Sequence, residues 1–233
     1  MSAPEWWLDE SAFAGPEHLD ASYVAGYTAK AGVDPATDVQ VLRANGLGPD
    51  SVLVDLGAGT GVLAFAVAPE CRKVIAVDVS APMVDHLRRR AGELGADNVE
   101  VVHAGLLSYE HRGEPAAFVY SRNVLHQLPD FWKAMAMERM RAMLRPGGIL
   151  RLHDLVYDFD AADAAGRMES WFAGAVDDPA AGWTAAELAE HVRTEFSTFT
   201  WLFEPMLERA GFEVLERDSV RGAYAAYTCR APA

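Results

Sequence analysis

The sequence predicts an α/β fold in which helices cover both faces of a mostly parallel sheet of seven strands. Strand-like apolar runs alternate with helical stretches along most of the 233 residues, which is typical of parallel sheets joined by crossover helices. A glycine-rich turn follows the first strand directly, at the edge where such sheets bind ligands. Residues 217–222 alone separate the last two apolar runs, and this link is too short for a helical crossover. The last strand is therefore expected to be antiparallel.

The first half of the chain is expected to contain two helices and then three strand–helix units. Asp20 precedes an apolar stretch as an N-cap residue does, and Asn45-Gly46 ends the second helix. Ser80 and Gly95 mark the two ends of a later helix. The expected elements are helices 21–27 and 35–44, strand 51–56, helix 60–68, strand 73–77, helix 83–94 and strand 99–103.

The second half continues the alternation and then interrupts it. A long amphipathic helix begins at Asp130, and a Pro-Gly-Gly turn at residues 146–148 introduces the fifth strand. The acidic stretch of about 158–198 is predicted to be a helical insertion, because Thr184 and Glu187 have the spacing of a capping box. The expected elements are strand 116–120, helix 130–144, strand 149–153, helix 199–210 and strands 212–216 and 223–229.

Residues 1–46 are predicted to form a helical N-terminal segment, and residues 47–233 are predicted to form the main domain. Trp6, Trp7, Leu8 and Phe13 form an apolar cluster in this segment, ahead of any strand. Two roles are open for the segment. It covers one edge of the sheet, or it acts as a lid over a bound ligand. The sequence also leaves open whether the chain forms a homodimer.

The composition restricts the partners of this chain. Lys and Arg number 20 and Asp and Glu number 34, so the net charge is −14. An acidic surface repels phosphate backbones and anionic lipids, so neither nucleic acid nor a membrane is expected as a partner.

Two cysteines form no metal site, and no histidine interleaves the acidic runs, so no metal is expected. The N-terminus has no signal-like pattern and no apolar run reaches about 20 residues, so a cytoplasmic location is expected.

The turn at residues 57–61 has glycines at alternate positions between a strand and a helix. Glycines let a ligand approach the backbone, and the start of the helix offers unpaired N–H groups. A dinucleotide site requires G-x-G-x-x-G or G-x-G-x-x-A, with an acid about 20 residues later. Gly59, Gly61 and Ala64 satisfy this pattern, and Asp78 is suitably placed as the acid. The glycine spacing alone therefore does not choose the cofactor.

Three further features favour a different cofactor. Asp55 begins a D-x-G-x-G-x-G motif, Leu-Arg-Pro-Gly-Gly at 144–148 introduces the fifth strand, and an antiparallel strand pair closes the chain. Together they resemble the class I S-adenosylmethionine-dependent methyltransferases, over about residues 41–229. The stretch FVYSRNVLHQLP at 118–129 resembles the ubiquinone/menaquinone-biosynthesis-like branch, whose acceptors are small molecules. The resemblance implies a Rossmann-like three-layer sandwich and S-adenosylmethionine as the cofactor.

The resemblance also implies roles for individual residues. Asp55 would lie near the ammonium group of the cofactor, Asp78 would accept both ribose hydroxyls, and Asn123 would lie under the sulfonium. The other implied contacts come from the backbone of Gly57, Ala58, Gly59 and Gly61 along the methionine part, from Val79 and Met83 along the adenine, and from Tyr27 in the lid.

One departure from the family pattern concerns the adenine. Many relatives place an acid after the third strand to hold the adenine amino group. This chain has Gly105 at that position, followed by Leu106. The resemblance therefore leaves two alternatives: backbone groups hold the adenine, or the cofactor binds more weakly.

A methyl acceptor that starts protonated also needs a base. His126 follows the fourth strand at the carboxyl edge of the sheet and is the first candidate for this catalytic role. His153 and Asp154, at the end of the fifth strand, are the second candidates. A packed structural role explains each of these residues as well.

Aromatic side chains in the N-terminal segment and in the insertion predict an enclosed pocket for a small-molecule acceptor. Trp183, His191 and Glu195 are candidates to line it, although an ordinary helical surface also explains them. Two alternatives to a methyltransferase stay open. One is a methyltransferase-fold subunit that binds or regulates without turnover, and the other is an NAD(P)-dependent oxidoreductase.

Overall fold

The computed structural model describes residues 4–232 and confirms the predicted α/β fold. Residues 1–3 of the predicted N-terminal segment lie outside the described residues. The described strands are β1 (Val52–Leu56), β2 (Lys73–Asp78), β3 (Val99–His103), β4 (Ala116–Arg122), β5 (Leu144–Asp154), β6 (Val156–Tyr157), β7 (Thr198–Phe199), β8 (Glu213–Val220) and β9 (Tyr224–Arg230). Seven of them form one sheet in the order β3-β2-β1-β4-β5-β9-β8. Strands β1 to β5 pair in parallel, and β9 runs antiparallel to both of its neighbours.

The helices cover both faces of this sheet. They are α1 (Ala21–Ala31), α2 (Ala36–Ala44), α3 (Val62–Val67), α4 (Ala81–Leu94), α5 (Asp130–Met143), α6 (Ala164–Phe172), α7 (Ala185–Thr194) and α8 (Thr200–Arg209), with two 3₁₀ turns ahead of them at Glu10–Phe13 and Pro16–Leu19. Helices α5 and α8 pack on one face, and α2, α3 and α4 pack on the other. None of the described helices has the length and apolar character needed to cross a membrane.

Strand β1 is buried on both faces of the sheet. Successive side chains of a strand point to opposite sides, so those of β1 enter two different apolar clusters. Val54 belongs to the apolar cluster that includes Met137 of α5. Its neighbour Leu53 belongs to the opposite cluster, with Leu42 of α2 and Ala64 of α3. A strand enclosed in this way reads as a continuous apolar run in the sequence, and this explains why its limits were predicted well.

The Pro-Gly-Gly segment at 146–148 is not a separate turn before the fifth strand, as the sequence suggested. It lies inside β5 as an irregularity in the pairing, because Ala116 faces Leu144 whereas Phe118 faces Ile149. Gly147 has a φ of +74° and donates its N–H to the carbonyl of Ala231 at 2.7 Å. The predicted link 217–222 is also shorter than expected, since β8 continues to Val220 before the chain turns into β9.

The insertion after β5 contains helices α6 and α7, as predicted, and two short strands that were not predicted. Strand β6 pairs in parallel with β7, and Tyr157 lies opposite Phe199. The chain therefore leaves the main sheet and returns to it at the same place. Strands of two residues have no recognisable alternation, so the sequence offers no signal for them.

Asp38 of α2 is buried beneath the carboxyl edge of the sheet and ties this helix to β4 and β5. Its carboxylate accepts hydrogen bonds from Tyr120 Oη at 2.9 Å and Arg151 Nε at 2.9 Å, and it lies 2.5 Å from His153 Nε2. Burial alone would raise the pKa of Asp38, but its hydrogen bonds to His153 and Arg151 and the charge of His153 hold it well below its usual range. His153, a candidate base from the sequence, is thus hydrogen-bonded in a structural network.

We expect Gly61→Ala to lower the free energy of unfolding by about 1–3 kcal/mol. Gly61 has a φ of +78°, and an added Cβ would lie 2.5 Å from the ring of Phe65 and 2.6 Å from Leu87. Gly92→Ala in α4 is the matched control, because a Cβ there meets nothing within 4 Å. A gain of about 0.5–1 kcal/mol is expected for the control. Urea unfolding measures both variants, and a Gly61→Ala protein as stable as the wild type would contradict the prediction.

Candidate functional site

A cleft lies where β1, β2 and β4 end. Its larger part encloses about 690 Å³ of empty space, counting its open mouth, and an adjoining part encloses about 540 Å³. Residues that line both parts are Tyr27, Gly57, Gly59, Arg122 and Asn123. The ring of Tyr27 packs against the glycine turn, since a Cβ added to Gly59 would lie 3.8 Å from it. Helix α1 therefore contributes a side chain directly over the turn.

The glycine turn is shaped by close approaches of its backbone to other segments. Gly57 has a φ of +75°, and an added Cβ would lie 2.2 Å from Val124 Cγ2 in the loop after β4. The N–H groups of Gly57 and Ala58 donate to the carbonyl of Val77 at 2.8 and 3.0 Å. A side chain at position 57 would thus push the β4 loop away. This is the physical reason for glycine at the first position of the motif.

Asp78, at the end of β2, is held against the turn by two backbone hydrogen bonds. Gly59 N–H donates to Oδ2 and Ser80 N–H donates to Oδ1, each at 2.8 Å. Burial raises the pKa of Asp78, although these N–H donors oppose the shift. Each carboxylate oxygen keeps a further direction in which it accepts a hydrogen bond. The side chain lines the larger part of the cleft and is suited to accept from a pair of hydroxyls.

Asp55, at the end of β1, lines the smaller part of the cleft and is almost completely buried. Burial and the nearby charge of Asp78 raise the pKa of Asp55 to about 8. A cation placed beside this carboxyl group would stabilise its ionised form and lower that pKa. The site therefore favours a positively charged ligand group at this end.

Asn123 faces the cleft in an unusual backbone conformation. Its φ is +54°, in the left-handed region, which asparagine tolerates better than most residues. Its N–H donates to the carbonyl of His153 at 2.9 Å, which anchors the β4 loop to β5. Backbone strain of this kind concentrates at functional positions, and here it lies where β4 meets the cleft.

His126 is buried between two carboxylates and lines neither the cleft nor the second cavity described below. Its Nδ1 lies 2.6 Å from Asp154 Oδ1, and its Nε2 lies 3.3 Å from Glu195 Oε2. Burial alone would lower the pKa of His126, but the negative charges of Asp154 and Glu195 raise it above its ordinary value. Asp154 also accepts the backbone N–H groups of Val124, Leu125, His126 and Leu155. Asp154 and His126 together hold the loop after β4 in place.

A second, larger cavity adjoins the cleft and encloses about 1320 Å³, again counting its mouth. Phe13 and Gln127 line both spaces, so the two are neighbours. The insertion contributes Trp183, His191 and Glu195 to its wall, and these are the residues that the sequence offered as candidate acceptor contacts. A cavity thus lies between the N-terminal segment and the insertion, and its role as an acceptor pocket stays a prediction.

Two sets of contacts build this second cavity. His191 Nδ1 lies 2.6 Å from Glu195 Oε1, so Glu195 contacts both His191 and His126. Lys30 Nζ of α1 forms an ion pair with Glu187 of α7 at 2.5 Å, and it lies 4.8 Å from the centre of the Trp183 ring. The N-terminal segment and the insertion are therefore joined at the wall of the cavity, which Glu187 and Trp183 line.

Glu10 lines the cleft beside Gly105, and the sequence analysis did not identify it as a site residue. Its carboxylate accepts the N–H of Leu107 at 3.0 Å and the N–H of Ser108 at 2.8 Å. Glu10 and Leu107 are 97 positions apart, so no local motif joins them. The only signal was indirect: a glycine after the third strand where a side chain was expected.

The structure brings most of the predicted cofactor residues to the cleft. The residues that line one or both of its parts are Tyr27, Asp55, Gly57, Ala58, Gly59, Asp78, Val79, Met83, Gly105, Leu106 and Asn123. Gly61 and His126 line neither part. Gly61 instead is the N-cap residue of α3, and Phe65 and Leu87 lie close to its Cα.

These features fit a nucleoside joined to an amino acid. Asp78 offers acceptors for a ribose diol, and Val79, Met83 and Leu106 offer an apolar surface for a base. Asp55 offers a buried carboxyl group for an ammonium ion. S-adenosylmethionine carries all three groups, so the residues of the cleft fit it.

Comparisons with known proteins agree with this fit. Residues 53–148 match the family model described as a methyltransferase domain. The chain is 26% identical over 182 residues to tRNA 5-carboxymethoxyuridine methyltransferase of Escherichia coli (strain K12), covering 75% of this chain and 65% of that one. It is 33% identical over 136 residues to carboxy-S-adenosyl-L-methionine synthase of Pseudomonas fluorescens (strain Pf0-1), covering 54% and 53%. The chain thus spans less than two thirds of the length of these curated relatives.

The fold is similar to a solved structure of magnesium protoporphyrin IX methyltransferase from Synechocystis PCC 6803 with bound S-adenosylmethionine. The TM-score is 0.66 at 13% identity, and the match covers 97% of this chain and 99% of that one. Similarity at this level of identity establishes the fold. The methyltransferase-domain match over residues 53–148 agrees with the resemblance found in the sequence.

We expect the stabilising contribution of His126 to decrease as the pH rises. The pKa of His126 is raised in the folded protein, so its contribution is fully present below the unfolded value of about 6.5 and is lost as the pH rises through the folded value. The free energy of unfolding of the wild type should therefore exceed that of His126→Gln by more at about pH 6 than at about pH 9. Urea unfolding at both pH values measures this difference, and a constant difference would contradict the charged contact.

Proposed function

We propose that the chain is a class I S-adenosylmethionine-dependent methyltransferase that transfers the methyl group of this cofactor to a small molecule bound in the second cavity. The observation that carries the proposal is the shared wall of the two spaces. Phe13 and Gln127 line both the cleft and the cavity, so an acceptor in the cavity lies beside the cofactor. Holding the two reactants side by side is the main requirement for this transfer.

S-adenosylmethionine is the cofactor, and its sulfonium supplies a methyl group that is already activated. In this proposal Asp78 accepts hydrogen bonds from the ribose hydroxyls, and Asp55 pairs with the ammonium group. Asn123 borders the sulfonium region. The other cofactor contacts come from the backbone of Gly57, Ala58 and Gly59, from Val79, Met83, Gly105 and Leu106 around the base, and from Tyr27 above the turn.

The acceptor is proposed to be a small molecule, aromatic or basic in part. Tyr23, Trp183 and Phe196 offer aromatic surface in the cavity, and Glu190 and Glu195 offer negative charge. The ion pair between Lys30 and Glu187 joins the N-terminal segment to the wall of the cavity, so both contribute to the space that holds the ligand. A net charge of −14 disfavours a polynucleotide, although the similar protein from E. coli is named for a tRNA substrate.

In this proposal His191 takes the proton from an acceptor that starts protonated. Glu195 accepts from Nδ1 of His191 and so orients the ring, which leaves Nε2 for the acceptor. His126 was the first candidate for the base from the sequence. It lines neither space, and its contact with Glu195 gives it a positioning role for the same pair.

We expect Asp78→Asn to weaken the binding of S-adenosylhomocysteine by about 1–3 kcal/mol, because a charged acceptor of two hydroxyl hydrogen bonds is lost. Asp97→Asn, at an exposed position after α4, is the matched control and should bind like the wild type. Calorimetric titration of both variants, with thermal unfolding to verify folding, measures the effect. Equal affinity of the two variants would overturn the assignment of Asp78 to the ribose.

We expect Glu195→Gln and His191→Gln to lower methyl transfer at least about tenfold, while affinity for S-adenosylhomocysteine changes less than about twofold. Glu208→Gln, on the exposed face of α8, is the control. Label is followed from methyl-labelled S-adenosylmethionine into a filtered metabolite extract and, separately, into bulk tRNA. Label in the tRNA alone would overturn the small-molecule acceptor. Binding of the cofactor with label in neither fraction would favour a subunit without turnover.

A further inference from the structure

We propose that Glu10 recognises the adenine base of the cofactor, by accepting a hydrogen bond from its 6-amino group. This inference rests on the proposed binding of S-adenosylmethionine in the cleft. It answers the question raised by Gly105, which leaves the loop after β3 without an acidic side chain. The acid is supplied by the N-terminal segment instead.

The carboxylate of Glu10 is fixed in place by the loop after β3. Leu107 N–H donates to Oε2 at 3.0 Å, and Ser108 donates to Oε1 from its N–H at 2.8 Å and from its hydroxyl at 2.6 Å. Asp9 caps the 3₁₀ turn that carries Glu10, by accepting the N–H of Ser11 at 3.1 Å. The side chain of Glu10 is therefore held firmly although it comes from a distant part of the chain.

Gly105 and Glu10 are sterically complementary. A Cβ added to Gly105 would lie 2.2 Å from the carboxyl carbon of Glu10. Any side chain at position 105, an acid included, would therefore displace Glu10 from the cleft. Glycine at position 105 therefore leaves the space that the carboxylate of Glu10 occupies.

The position of Glu10 matches the base rather than another part of the cofactor. Asp78, the proposed ribose acceptor, pairs in register with His103 at the end of the neighbouring strand β3. Gly105 and Glu10 lie just beyond that point. Val79, Met83 and Leu106 line the same part of the cleft and offer an apolar surface for a planar ring. A base that lies on this surface extends from Asp78 toward Glu10.

The hydrogen-bonding capacity of the Glu10 carboxylate determines which ligand group can bind beside it. Oε2 accepts one hydrogen bond, from Leu107, and retains a second acceptor direction. Glu10 is only 9% exposed, and no basic side chain among the described residues forms an ion pair with it. An ionised carboxylate only accepts hydrogen bonds, so it favours the 6-amino group of adenine and repels a 6-oxo group. Glu10 is thus a specificity-determining residue for the cofactor.

The test compares two ligands, S-adenosylhomocysteine and its analogue with hydrogen in place of the 6-amino group. We expect the wild type to prefer S-adenosylhomocysteine by about tenfold or more, as for a hydrogen bond to a charged group. In Glu10→Ala this preference should fall below about twofold, with the loss confined to S-adenosylhomocysteine. Glu5→Ala, at an exposed position of the same segment, is the control. Titration calorimetry gives the affinities, and thermal unfolding verifies that each variant is folded.

A second variant covers the case in which Glu10→Ala does not fold. Glu10→Gln keeps the size of the side chain and adds a donor, so it should gain affinity for the 6-oxo analogue relative to the wild type. Equal weakening of both ligands in Glu10→Ala, or an unchanged preference, would overturn the inference and leave the proposed function intact. Failure of the wild type to bind S-adenosylhomocysteine at all would overturn both.

Discussion

Buried carboxylates that accept backbone N–H groups hold the carboxyl edge of this sheet together. A carboxylate removed from water is stable only where donors surround it, and loops offer N–H groups that no strand or helix uses. Asp78 joins the glycine turn to the start of α4, Asp154 holds the loop after β4, and Glu10 holds the loop after β3. The loops that border the cleft are therefore each fixed by an acid, and the shape of the cofactor site depends on these contacts.

The central part of the fold was predictable because its strands are short, apolar and buried on both faces. Strand β1 reads as a continuous apolar run for this reason, and the glycine turn and Asp78 follow from local spacing. The errors lie where pairing decides the structure. The Pro-Gly-Gly segment lies inside β5 because flanking residues pair on both sides of it, and β6 and β7 are strands only because each faces the other. No short stretch of the sequence indicates either of these strand pairings.

The candidate site likewise contains residues that the sequence identified and residues that it did not. Gly57, Ala58 and Gly59 of the glycine motif line the cleft because one turn brings them together, whereas Gly61 does not line it. Glu10 was missed because 97 positions separate it from Leu107. His126 was the first candidate for a catalytic base, with a packed structural role as the alternative, and Asp154 and Glu195 enclose it. A histidine after a strand is visible in the sequence, whereas the acids that surround it come from other elements. Sequence reasoning thus finds the local half of a site and not its long-range partners.

The parallel pair formed by β6 and β7 has a consequence for how the substrate range of such a protein changes. Neighbouring strands lie about 5 Å apart, so the insertion begins and ends almost at one point. Its length and sequence can vary while both of its ends stay fixed, because closing a longer loop adds little entropic cost. The insertion carries Trp183, His191 and Glu195 into the second cavity, whereas the glycine turn and Asp78 belong to the sheet. The wall of the second cavity can therefore change through the insertion while the glycine turn and Asp78 keep their places at the edge of the sheet.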